Sequence, residues 1–76
     1  MDTEKRLNKL SVGECGRVVG LLTEGSMRRR FLDVGISPGT TVRCVGRSPL
    51  GDPSAYLVRG SIIAIRDNDA YGIVLE

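Results

Sequence analysis

Histidine is missing from all 76 residues, and that absence decides most of the chemistry this chain can do. Serine, threonine and cysteine are present, but no imidazole can serve as their base and no Lys–Ser spacing stands out, so nucleophilic catalysis has no starting constellation. No glycine-rich phosphate-binding loop appears either. The two cysteines, Cys15 and Cys44, lie 29 positions apart with no CxxC spacing, which leaves no closed metal site. Four carboxylates, Asp52, Asp67, Asp69 and Glu76, could offer at most a weak, open oxygen site for a divalent transition metal. No cofactor is expected. What remains is the chemistry of recognition, in two stretches.

The first is Arg28-Arg29-Arg30. On a helix three successive side chains spread over about 200° of the circumference, so they cannot form one flat patch. Arg29 can pair with Asp33 four residues on, as part of a solvated helix face. Alternatively, Arg28 or Arg29 presents its guanidinium fork to carboxylates of a partner, with Arg30 laying its stem along the protein body.

The second is Pro49-Leu50-Gly51-Asp52-Pro53, which runs directly into Ala55-Tyr56-Leu57-Val58. Two prolines stiffen the ends and Gly51 supplies a positive φ, so the segment must turn. Leu50 is the anomaly. A leucine at the tip of a polar turn either folds back onto the core or stands out as an anchor, and in the second case proline stiffness lowers the ordering cost of binding. Arg28, Arg29, Pro49, Leu50, Gly51, Asp52, Pro53 and Tyr56 are therefore the candidate partner-binding residues.

The elements that position them follow from periodicity. Thr3 can cap a short helical turn carrying Leu7 and Leu10, ended by Ser11-Val12-Gly13-Glu14. Cys15 to Leu22 reads as a strand with Val18 and Leu22 on one face, together with Gly16 and Gly20, and Val19 and Leu21 on the other. Met27, Phe31 and Val34 then recur at helical spacing, which predicts a helix over about 26–34 with Ser26 as N-cap and Gly35 at the left-handed C-terminal position. Ser37-Pro38-Gly39-Thr40 reads as a type II turn. Further strands are expected at Thr40–Arg47, with Val42 and Cys44 inward, then Ala55–Arg59, Ile62–Arg66 and Tyr71–Leu75, the last preceded by a polar or helical turn at 66–70. Five short strands at close spacing predict a mainly β fold, a small closed barrel with one inserted helix.

Size and charge limit the rest. A chain this short is one domain, residues 1–76, with a thin core and little room for a catalytic cleft. The net charge of +2 gives a weak overall field. Phe31, Tyr56 and Tyr71 are its only aromatics, a poor stacking platform for nucleic acid. No apolar run is long enough to span a bilayer and the N-terminus carries charge where a signal peptide would be apolar, so a cytoplasmic location is expected, with both thiols free.

Five segments together resemble the FeoA family of bacterial ferrous iron uptake. They are Gly16–Val19, Arg28–Ile36, Ser37–Thr40, Pro49–Pro53 leading into Tyr56–Gly60, and Ile63–Arg66 followed by Asp69-Ala70. The RRxLDxGIxPGT and PLGDP strings, at this separation, are the specific part. The resemblance implies an SH3-like barrel with a helix between the first two strands, and a non-enzymatic protein that binds and tunes the membrane ferrous-iron permease FeoB, whose cytosolic part is a GTPase. It implies transition-metal binding as an alternative role. Recognition of a peptide in the SH3-like manner and self-association are further candidates.

Overall fold

The computed structural model describes residues 5–76, so the cap expected at Thr3 lies outside the described residues. Strand β1 (Lys5–Arg6) leads into a 3-10 turn at Leu7–Lys9, followed by β2 (Cys15–Leu21), helix α1 (Gly25–Val34), β3 (Thr41–Arg47), β4 (Ser54–Val58), β5 (Ser61–Ile65), helix α2 (Asp67–Ala70) and β6 (Ile73–Leu75). The order across the sheet is β1-β6-β2-β3-β4-β5, and every pairing is antiparallel. The five expected strands are present, but strand pairing does not close the sheet as expected: among the described residues β1 and β5 end the order unpaired with each other. A two-residue strand at Lys5–Arg6, too short for any periodicity to announce it, adds a sixth by pairing with β6.

The core gathers one or two side chains from nearly every element: Leu7 and Leu10, Val18, Phe31 and Ile36, Val42 and Cys44, Tyr56 and Val58, Ile65, Ala70, Ile73 and Leu75. Cys44 points inward as expected, and both thiols are free. In β2 the alternation expected from period two breaks. Its pairing with β6 shifts between Val18 and Gly20, which makes Val19 an extra, exposed residue. After such a bulge the faces exchange. Leu21, not Leu22, therefore joins the core side, while Leu22 falls beyond the strand and is exposed. Gly16 lies on the Val18 side, where a Cβ would come within 2.6 Å of Leu75 Cδ1.

Helix α1 begins one residue early, with Glu24 rather than Ser26 at the cap position, because Gly25 turns the chain at φ 66°. Its end is as expected and well satisfied. Gly35 sits at φ 102°, its N–H donates to Leu32 O at 3.1 Å, and Ile36 N–H donates to Phe31 O at 2.9 Å. These two bonds make a Schellman motif, and its apolar contact is the buried pair Phe31 and Ile36. The type II turn follows, with Gly39 at φ 97° and Thr40 N–H donating to Ser37 O at 3.0 Å. Between β4 and β5 the chain reverses at Arg59 and Gly60, both at positive φ. From there the Arg59 side chain reaches back over Gly35, donating through Nε to Gly35 O at 3.2 Å and through Nη2 to Thr40 Oγ1 at 3.4 Å. The far hairpin is thereby tied to the C-terminal end of α1, where a cation is favourable.

Candidate partner-binding surface

The hairpin between β3 and β4 is braced from both sides. Gly51 N–H donates to Ser48 O at 2.8 Å, closing a turn with Pro49 and Leu50 at its corners, and Ser48 N–H donates to Pro53 O at 3.1 Å at the neck. Gly51 has φ 89°. Asp52 Oδ1 accepts the Asp67 N–H at 2.9 Å, so the loop's carboxylate serves the first turn of α2 as a capping acceptor supplied from elsewhere in the chain. Asn8 Nδ2 reaches Asp67 Oδ1 at 3.3 Å and extends the same network. Below the loop, Arg47 Nη1 donates to Ser54 Oγ at 2.7 Å and its Nη2 to Leu10 O. Leu50 is the one large side chain that this bracing leaves outside: it is 94% exposed. Of the two readings open for Leu50, the structure shows the projecting one.

Asp52→Ala should therefore cost about 1 kcal/mol, the usual scale for a lost capping acceptor, and release the loop from α2. Urea unfolding checks the first part and faster amide exchange at Gly51 checks the second.

Tyr56 must be withdrawn from the candidate surface. It is 1% exposed and packs in the core, since the alternation along β4 turns Ser54, Tyr56 and Val58 inward. Burial pushes the Tyr56 phenol above its usual value of 10, with the hydrogen bond to Ser54 opposing. The unfolded chain thus loses this proton first on going alkaline. The stability Tyr56 contributes is fully present below about pH 10 and is lost as pH rises from there through the folded-state value. Tyr56→Phe should flatten that alkaline decline, measured by chemical unfolding between pH 9 and pH 11, chosen to bracket the free phenol's value of about 10.

Helix phase separates the three arginines. Met27, Arg30, Phe31 and Val34 face a groove of about 290 Å³, whose opposite wall is β5 and whose end is formed by Pro53. Arg28 and Arg29 lie instead around a depression on the other side of α1, with Leu32 and Asp33. Arg28 is further committed, donating through Nη1 to Leu21 O at 3.1 Å. Arg29 and Asp33 form no ion pair; among the described residues Lys5 and Glu14 do so, at 3.5 Å. The structure thus brings Arg30, not Arg28 or Arg29, towards Pro53. Ile63, Ala64, Ile65 and Arg66 complete the groove, and they escaped the sequence reading. The signal for Arg30 was available, because it lies at i+3 from Met27 within the apolar stripe.

The carboxylates do not assemble a metal site. Among the described residues no group of three His, Cys, Asp or Glu side chains could hold an ion, and Asp52 is already engaged with a backbone N–H.

Comparison with known proteins places this architecture. Residues 5–76 match the FeoA domain family. The chain belongs to the FeoA family. Its members are accessory proteins of ferrous iron transport. A relative from Porphyromonas gingivalis (strain ATCC BAA-308 / W83), an Fe(2+) transport protein A/Fe(2+) transporter FeoB fusion protein, is 32% identical over 71 residues. The alignment covers 93% of this chain and only 8% of that protein. The solution structure of an FeoA-like protein from Clostridium acetobutylicum is 33% identical, with a TM-score of 0.86 over 100% of this chain and 88% of that one. At 24% identity, Stenotrophomonas maltophilia FeoA complexed with zinc, described as an SH3 domain protein, superposes with a TM-score of 0.84 over 95% of this chain and 89% of that one. The fold is SH3-like, mainly β with one short helix between the first two long strands.

Proposed function

We propose that this FeoA-family chain docks on the cytosolic GTPase part of a FeoB ferrous iron permease and modulates transport by binding one nucleotide-dependent state better than another. The observation that carries this reading is the P. gingivalis relative, in which an FeoA region and a FeoB transporter are one polypeptide. Fusion fixes two parts at high effective concentration, which is useful when they act on each other. Separate chains need affinity instead, and the projecting Leu50 on its proline-braced turn supplies a pre-ordered anchor for it. The docking surface comprises Pro49, Leu50, Gly51, Asp52 and Pro53 with the groove beside them. Arg28 and Arg29 flank it on the far side of α1 as secondary, long-range contacts.

A partner of this kind shifts an equilibrium only by its differential affinity for the two states. The chain would work in the cytoplasm, reaching the membrane only through the permease. No helix among the described residues is long and apolar enough to cross a bilayer.

The test is a titration of the full chain into the soluble cytosolic region of FeoB, loaded in turn with GDP and with a non-hydrolysable GTP analogue, read by calorimetry. Saturable binding with unequal affinity for the two forms is expected. Equal affinity would defeat modulation through the nucleotide state, and no heat of binding in either form would defeat docking on this region.

A further inference from the structure

We propose that the outer edge of β5 accepts an extended segment of the permease's cytosolic region as an added strand, with apolar side chains of that segment entering the groove against α1 and acidic ones meeting Arg30 and Arg66. The inference rests on the docking reading above and names how the groove is used.

Strand β5 ends the sheet, pairing with β4 on one side and, among the described residues, with no strand on the other. Sheet edges of this kind are normally guarded by lysine, proline, a bulge or a covering element. Ser61-Ile62-Ile63-Ala64-Ile65 contains no charge and no proline, its register with β4 is unbroken, and Ile62 is 67% exposed. The groove between α1 and β5 runs along this strand. Ile63, Ala64 and Ile65 all line it, although successive side chains of a strand point to opposite faces, so the backbone of β5 borders it as well as side chains. What β5 offers there is backbone N–H and C=O, the requirement for strand addition.

The other wall specifies the occupant. Met27, Phe31 and Val34 make it apolar, while Arg30 and Arg66 stand along the groove with no ion-pair partner among the described residues; Asp69 is the one acidic residue in its lining. An extended segment carrying both apolar and acidic side chains satisfies both features, the apolar ones filling the groove and the acidic ones meeting the exposed Arg30 and Arg66 that share its lining. A second copy of this chain fits less well. An isologous pairing would set the same surface against itself and bring the arginines of both α1 helices together.

Hydrogen exchange of the full chain, with and without the soluble cytosolic region of FeoB, tests this directly. Strand addition predicts at least tenfold slower exchange at alternate amides of β5, those facing outward, and little change at the amides already bonded to β4. It also predicts that the double variant Arg30→Glu, Arg66→Glu binds about tenfold more weakly, with the loss shrinking at high salt. Binding with protection confined to residues 48–53, or affinity unchanged by the charge reversal, would overturn strand addition while leaving docking intact. Absence of any binding would remove both. Protection of β5 that grows with the concentration of this chain alone would assign the edge to self-pairing and overturn the proposal.

Discussion

Replacing Leu50 with aspartate is expected to weaken binding to the permease's cytosolic region by at least ~30-fold, the loss of about 2 kcal/mol that marks a central interface anchor. Its thermal midpoint should stay within about 4 °C of the parent, because exposed substitutions away from packed features change stability by no more than ~0.5 kcal/mol. The separation is the point. Leu50 contributes nothing to the core at 94% exposure, while Pro49, Gly51 and the Asp52 contact to α2 hold its backbone in place. Affinity measured by calorimetry and stability measured by circular dichroism on the same preparations would show it. A variant that unfolds, or one that binds like the parent, would each remove Leu50 from the interface.

Tyr56→Ala should do the reverse. Truncating a buried aromatic costs about 3–5 kcal/mol, against a total stability of roughly 4–11 kcal/mol for a domain of this length. The midpoint should fall by about 15–30 °C, and any loss of binding should track the unfolded fraction. Thermal unfolding followed at several wavelengths checks this. Wild-type stability with weakened binding would return Tyr56 to the surface, against its place between Cys44 and Ile63 in the register of β3, β4 and β5.

The contrast between these two residues shows what the sequence revealed. Helix α1 was legible because Met27, Phe31 and Val34 repeat at helical spacing and Gly35 stops it, and the turn at residues 37–40 because proline and glycine occupy the positions a type II turn requires. The bulge at Val19 was not legible. It depends on which residue of β6 lies opposite, so the faces assigned to Leu21 and Leu22 were exchanged. Strand β1 was hidden for the same reason, since two residues carry no period and only pairing with Val74 and Leu75 makes them a strand.

The site follows the same division. Leu50 stood out by composition, a leucine inside a proline-framed turn, but whether it projected was a question of packing. Tyr56 follows the loop closely enough in sequence to join the candidate surface, yet the alternation through Ser54, Tyr56 and Val58 turns all three inward together. Among the three arginines, Arg30 alone lies at helical spacing from Met27. That spacing puts Arg30 on the apolar side, but the groove it reaches beside Pro53, and the bond of Arg28 to Leu21 O, depend on how α1 packs against the sheet.

The proposed docking surface joins the Leu50 turn to the groove that Pro53 lines with α1 and β5. The most direct test is to titrate the isotopically labelled chain with the soluble cytosolic region of FeoB and follow its backbone amide spectrum. Docking on that surface should concentrate shifts at residues 49–53, 61–66 and the Met27–Phe31 side of α1, with β1 unaffected. Shifts concentrated instead at β1, β6 and the Arg59-Gly60 turn, or a spectrum that the partner leaves unchanged, would contradict it.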